Sequence, residues 1–380
     1  MTSTSYVDFY KKHNICPVLN SIDPLFLKKR AALYFQLGIF PSFLKDKTAL
    51  EFGPGNGINS LYTNSLEPKD YVLVDANPTS LENCKKNFRE SFDKHDNYSF
   101  VNSLVDDFQT DKKFDLVICE GLIPHQHDPK SCAKHAASFT KAGGLFVLTC
   151  HDFLSFLSEQ LRCFISYIST DMECDFNQKV DQITAQLSPH FMTLKAMNRK
   201  HRDWVIDNVM QVEHWTETPL FSVHDAIETF KEDFISFGSS PQFISDLRWY
   251  KDLTVESDFL FNEHALEKYW ENVHNLIDYR FEFPQRDASA NKELYQMSVN
   301  IKKLTSNYIK QPSNSNGEAI IALLKEIQIS VEEFSTETAK AIHCYIENLN
   351  RAFNKQPTHF THFQNWWGRG MQFLSLLKVN

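Results

Sequence analysis

Short apolar runs and longer stretches of helical spacing alternate along the first 150 residues. Ala49-Leu50-Glu51-Phe52, Tyr71–Asp75, Phe100–Asn102, Phe114–Cys119 and Leu145–Cys150 are dominated by aliphatic and aromatic side chains and are too short for helices. Turn residues and helix-like segments separate them, among these a helix over 130–141 that ends in Lys141-Ala142-Gly143-Gly144. Strands that are apolar on both faces and alternate with helices predict a mostly parallel sheet covered on both sides. An amphipathic helix over 23–37, closing on Leu37-Gly38, precedes the first strand. After Cys150 a helix runs to about 169, Ser222 opens another, and Asp233–Gly238 reads as a sixth strand.

The rest of the chain is helical in pattern. Leu266, Tyr269, Trp270, Val273 and Ile277 form one stripe, and Leu294, Met297, Ile301, Leu304 and Tyr308 form another. The polar break 311–317 precedes helices near 318–330 and 336–354. A last apolar run, Met371–Leu377, follows Gly368-Arg369-Gly370. The resulting organisation is a helical segment over 1–48, an α/β domain over 49–240, a helical subdomain over 241–365 and a returning strand over 366–380. At 380 residues the chain exceeds what one hydrophobic core usually supports, in keeping with a second subdomain.

The first strand runs directly into Gly53-Pro54-Gly55-Asn56-Gly57. Glycines between a strand and a helix let the backbone pass close to a ligand and supply positive φ angles. The spacing then excludes two ligand classes. A dinucleotide fingerprint would need glycine where Ile58 stands, and a phosphate loop would need Gly-Lys-Ser/Thr. The second strand ends in Asp75, a position from which a carboxylate meets a ribose, and Asp75-Ala76-Asn77-Pro78 reads as strand, acid, turn and helix start.

Taken together, Glu51-Phe52-Gly53-Pro54-Gly55-Asn56-Gly57, Asp75, the strand 114–119 and the Gly143-Gly144 turn before the fifth strand resemble the class I S-adenosylmethionine-dependent methyltransferases. The resemblance covers about 49–152 and implies a doubly wound, seven-stranded Rossmann-like sheet, carrying here a large helical addition, whose last strand pairs antiparallel with the sixth. It implies S-adenosylmethionine as cofactor. The glycines would pack on its amino-acid moiety, Glu51 would answer its ammonium and sulfonium charges, and Asp75 would take both ribose hydroxyls. After the third strand most relatives place an acid on the adenine; here either Asp106 reaches it, or backbone groups do so with Leu104 packed on the ring. Glu120, directly after the fourth strand, is a further cofactor contact. Segments ahead of the first strand often fold over the cofactor in such enzymes, which makes Tyr6 and Tyr10 lid candidates.

Sulfonium is a good leaving group, so the protein must mainly align a nucleophile with the methyl and exclude water. A base is required where the acceptor arrives protonated, and His125 and His151 are the first choices, with His127 and Asp152 nearby in sequence. Asp128 and Asp152 flank these histidines and would orient an imidazole. Glu120, His151 and Asp152 supply ligand types for a divalent ion, but three ligands do not fix a geometry, and the reading assigns no metal.

Charge and composition narrow the acceptor. Lys and Arg number 39 against 48 Asp and Glu, a net charge of −9, which disfavours nucleic acid and anionic membrane. No Asp/Asn-Pro-Pro-Tyr follows the fourth strand and no Pro-Cys nucleophile is present, so a small molecule is the expected acceptor, by O- or N-methylation. No window reaches the ~20 apolar residues of a membrane span and no leader is apparent at Met1, so the reading is a cytoplasmic protein. The eight cysteines, at positions 16, 84, 119, 132, 150, 163, 174 and 344, contain no Cys-x-x-Cys and read as reduced thiols. The helical addition would line a bulky substrate or form a homodimer interface. The alternative function is a cofactor-binding sensor or assembly protein without transferase activity.

Overall fold

The computed structural model describes residues 8–9, 12, 24–92, 97–170, 174–195, 197, 199–242, 246–253 and 260–379. Tyr6, Tyr10 and Cys16 lie outside these residues. In chain order the elements begin α1 (Pro24–Gln36), α2 (Pro41–Leu44), β1 (Thr48–Phe52), α3 (Ile58–Asn64), β2 (Asp70–Asp75), α4 (Pro78–Ser91), β3 (Tyr98–Asn102), β4 (Phe114–Cys119), α5 (Pro129–Ala137) and β5 (Thr140–Cys150). They continue as α6 (Phe153–Ser169), α7 (Phe176–Phe191), α8 (His201–Asn208), α9 (Val212–Thr216), α10 (Val223–Phe230), β6 (Phe234–Ser240), α11 (Leu260–Asn272), α12 (Ala288–Lys310), α13 (Asn314–Glu332), α14 (Thr336–Phe353) and β7 (Gln372–Lys378).

The chain divides into two compact units, one comprising residues 1–151, 219–269 and 371–380, the other 152–218 and 270–370. Residues 152–218 therefore belong with the helices, although the pattern of the sequence groups them with the sheet.

The first unit holds one seven-stranded sheet in the order β3-β2-β1-β4-β5-β7-β6. The first five strands are parallel, and β7 lies antiparallel between β5 and β6. The fold is thus α/β with a mostly parallel sheet, as the alternation of runs predicts. Tyr34, Leu37, Leu44, Leu61, Leu73, Phe88 and Ile118 are among the residues of its core. Each of the five parallel strands delivers its carboxyl end to the same edge, and the strand order reverses between β1 and β4. In open sheets of this kind a ligand binds at that reversal.

One predicted turn is absorbed into a strand. Phe114 pairs with Thr140 while Leu116 pairs with Leu145, so Lys141–Gly144 bulge out of a β5 that begins at residue 140. Gly143 supplies the positive φ of 72° that such a bulge needs. The helix before it accordingly ends at Ala137.

The second unit is helical and is organised around a buried cation. Arg162, fully buried on α6, donates to the carbonyls of Ser158 (3.0 Å), Phe363 (3.1 Å), Gln364 (3.3 Å) and Trp366 (2.6 Å). Its guanidinium also lies 3.6 Å from the centroid of the Trp367 ring. These carbonyls replace the water that a guanidinium loses on burial. Ile320, Leu324 and Ile327 of α13 and Ile342, Tyr345 and Leu349 of α14 are buried at helical spacing.

Among the described residues no helix is long and apolar enough to cross a membrane. Among the described residues, Cys119, Cys132, Cys163 and Cys344 are free thiols.

Candidate active site

The glycine loop leaves β1 through Gly53, whose amide donates to the Val74 carbonyl of β2 at 2.8 Å. All three loop glycines have positive φ, at 72°, 58° and 78°. Two of them have distinct reasons. A Cβ on Gly57 would stand 2.3 Å from Cys84 Sγ, so this glycine lets α3 pack against α4, whereas a Cβ on Gly55 would meet nothing within 4 Å. Gly55 therefore borders open space at the reversal of the sheet. Asn56 is buried, its carbonyl accepting from Asn87 Nδ2 at 2.8 Å, and Pro54 is buried beside it.

Asp75 closes this loop from the β2 side. Its Oδ2 accepts the Gly55 amide at 3.0 Å and its Oδ1 the Asn77 amide at 2.7 Å. Asn77 in turn caps α4, accepting from the amides of Thr79 and Ser80. Burial raises the Asp75 carboxyl above its ordinary value, and the two backbone donors pull it back. Ala76 is half-buried, Leu104 is 48 % exposed, and Asp106 is exposed.

Glu51 sits differently from its expected place at the mouth of the loop. It is buried, one oxygen accepting from Ser60 Oγ at 2.9 Å and the other from the Tyr71 hydroxyl. The side chain turns into the fold and braces β1 against β2 and α3. Burial pushes its carboxyl up to about 7, against the pull of the Tyr71 hydroxyl. A carboxyl whose folded value exceeds its unfolded one (about 4.3) contributes stability in full below the unfolded value, and that stability is lost as pH rises through about 7. The melting temperature of a Glu51→Gln variant, relative to the parent, should therefore climb between pH 5 and pH 8. A difference independent of pH, followed by circular dichroism, would contradict this account.

Glu120 follows β4 across the reversal. Both its oxygens accept from Arg30, Oε1 from Nη1 at 2.7 Å and Oε2 from Nη2 at 2.8 Å, and Oε1 also accepts Asn59 Nδ2 at 2.9 Å. Next to it, the Gly121 amide donates to Thr149 Oγ1 of β5 at 2.8 Å. Sequence reasoning did not find Arg30, Asn59, Ser60 or Tyr71. A signal for Arg30 was present: it interrupts the buried stripe formed by Phe26 and Tyr34 of α1 and by Leu37 just past its end, and an arginine on a buried face requires an acid partner.

The candidate bases follow β4 and β5. His125 closes a single 3₁₀ turn, Ile123–His125, after β4 and is half-buried. His151 is buried at the end of β5, its amide donating to the Phe221 carbonyl at 2.8 Å. The two acids expected to orient them serve as helix caps. Asp128 accepts from the Ser131 amide (3.0 Å) and hydroxyl (2.6 Å) at the start of α5. Asp152, fully buried, accepts the Leu154 amide at 2.8 Å at the start of α6. Among the described residues no three His, Cys, Asp or Glu side chains gather as a metal site, and Glu120, His151 and Asp152 form no such set.

Residues 44–215 match a family model described as a methyltransferase domain. No curated protein matches the chain. Solved structures similar to it include N-methyltransferase NodS from Bradyrhizobium japonicum WM9 with S-adenosyl-L-homocysteine, at 14 % identity over 38 % of this chain and 74 % of that one, TM-score 0.31. PKMT2 from Rickettsia typhi is 16 % identical over 64 % of this chain and 50 % of its own, TM-score 0.40. Magnesium protoporphyrin IX methyltransferase from Synechocystis PCC 6803 with bound SAM is 13 % identical over 37 % and 69 %, TM-score 0.30. The matched region holds the glycine loop, Asp75, Glu120 and the five parallel strands, so residues 44–215 carry a methyltransferase domain of the S-adenosylmethionine-dependent class.

Proposed function

We propose that this enzyme binds S-adenosylmethionine along Gly53–Gly57, with Asp75 on the ribose, and passes the methyl group in line to an oxygen or nitrogen of a small molecule. The observation that carries the placement is the Asp75 carboxylate, held between the Gly55 and Asn77 amides beside the reversal of the sheet. A carboxylate fixed by two backbone donors keeps acceptor directions for a pair of hydroxyls. Exposed Leu104 offers an apolar face to the adenine, with Asp106 as its polar neighbour. For the acceptor, the supports are the net charge of −9 and the residues after β4, Glu120-Gly121-Leu122-Ile123, where enzymes acting on base or amide nitrogens carry Asp/Asn-Pro-Pro-Tyr.

Of the two histidines, half-buried His125 is the better placed to take a proton from an incoming hydroxyl or amine, because His151 is enclosed. Incubating the protein with methyl-labelled cofactor and fractionated metabolites should give a labelled small-molecule product together with S-adenosylhomocysteine. Tight cofactor binding with no labelled product in any fraction would favour a sensor or assembly role instead. Once an acceptor is found, His125→Ala should lower turnover by ~100-fold with cofactor affinity retained. Unchanged turnover would leave alignment of an already deprotonated acceptor as the mechanism.

A further inference from the structure

Arg30 stands on the buried face of α1, yet its guanidinium is spent on a residue of the cofactor edge. The pairing with Glu120 is bidentate, at 2.7 and 2.8 Å, and Asn59 adds a third donor at 2.9 Å. The arginine side chain is 8 % exposed and the glutamate side chain 16 %, so the cation is the inner partner and the carboxylate the outer one. A carboxylate has about four acceptor directions. Among the described residues two on Oε1 and one on Oε2 are occupied, which leaves one direction on Oε2.

Two observations separate this pair from ordinary packing. Arg30 Nε, buried as well, meets no acceptor among the described residues. A buried ion pair with an orphaned donor is a poor way to stabilise a helix, since apolar residues of the same volume would serve at least as well. Glu51, the other acid at the glycine loop, is enclosed with both oxygens engaged by Tyr71 and Ser60. The cofactor brings an α-ammonium that must trade its hydration for an acceptor.

We propose that Arg30 is a positioning residue for the cofactor: with Asn59 it fixes the Glu120 carboxylate so that its remaining acceptor direction receives the α-ammonium of S-adenosylmethionine. The inference rests on the placement of the cofactor along Gly53–Gly57. It moves the charge-matching role from Glu51, where the family resemblance puts it, to Glu120.

The test compares two ligands by calorimetry: S-adenosylmethionine, and 5′-methylthioadenosine, which keeps the nucleoside but lacks the amino-acid end. Arg30→Gln and Glu120→Gln should each weaken S-adenosylmethionine by about tenfold or more while leaving 5′-methylthioadenosine within about twofold, the loss of one charge-assisted contact. Arg30→Lys should recover part of the loss, and Asn59→Ala, which keeps the ion pair, should cost about threefold on the same ligand only. Equal weakening of both ligands in the Arg30 variants would mean a collapsed loop and would overturn the proposal. So would an unchanged S-adenosylmethionine affinity in Arg30→Gln or in Glu120→Gln. Asp75→Ala, run in parallel, should weaken both ligands; if it weakens neither, the cofactor placement itself is refuted and this inference with it.

Discussion

Asp75→Ala should cost the enzyme about 3 kcal/mol of S-adenosylmethionine binding, or on the order of 100-fold in Kd. Two losses combine. The carboxylate no longer accepts from the ribose, and a hydrogen bond to a charged group contributes ~1.5–3 kcal/mol. The Gly55 amide also loses the acceptor that holds the loop closed at 3.0 Å, so binding must order a freer backbone. Asp75→Asn is the informative companion, because it keeps the size and one acceptor oxygen while removing the charge; an intermediate affinity is expected. Fold integrity is checked by the melting temperature, since Asp75 is only half-buried and its loss leaves the core untouched. An affinity within twofold of the parent, measured by calorimetry on the alanine variant, would remove Asp75 from the cofactor site.

How much of this was readable in advance depends on whether a residue's role is local. The strands were legible because a parallel sheet buried on both faces admits only apolar residues, and Tyr71–Val74 and Leu116–Cys119 meet that demand without a polar interruption. The glycine loop and the place of Asp75 at the end of β2 were legible because both are set by neighbours in sequence, a turn and a strand end. Partnerships across long separations were not. Nothing near Glu120 announces that Arg30, 90 residues earlier, will clamp it, and nothing near Glu51 announces that Tyr71 and Ser60 will enclose it.

The helix α12 shows the same limit in packing. Its apolar stripe predicts a buried line through Met297, Leu304 and Tyr308, but these are half-buried. The buried face is rotated toward Asn291, Leu294, Ser298, Ile301, Lys302 and Thr305. Polar residues are tolerated there because each is hydrogen-bonded, Ser298 to the Leu294 carbonyl of its own helix and the other three to distant segments of the helical unit. Asn291 Nδ2 donates to the Trp270 carbonyl at 2.8 Å, Gln160 Nε2 to Thr305 Oγ1 at 2.8 Å, and Lys302 Nζ to the Trp215 carbonyl at 2.6 Å. Burial holds the Lys302 amine down at about 7. Hydrophobic periodicity reports which face would be buried if oil alone decided, and satisfied hydrogen bonds change that answer.

Removal of residues 371–380 should abolish the native sheet. The strand β7 is an interior strand although it comes last in sequence: Leu145–Cys150 pair with it on one side and Phe234–Ser240 on the other. Its deletion strips both ladders at once and exposes β5 as a raw edge carrying Phe146 and Leu148, a template for aggregation. It also removes Leu374 and Leu376, both buried, each of which contributes roughly 1.5–3 kcal/mol by leaving water. A further tie goes with it, the Ser375 hydroxyl that donates to the Leu37 carbonyl at 2.9 Å at the end of α1. Domains of this size are stable by only ~5–15 kcal/mol, so the combined loss should exceed what the first unit has. The expected result is a protein that is insoluble or melts without a cooperative transition. Leu374→Ala, a milder change at the same place, should lower stability by ~2–5 kcal/mol and keep cooperativity. If the shortened chain instead melts cooperatively within a few degrees of the full one, β7 is no structural member of the sheet, and the strand order that sets β5 beside it is wrong.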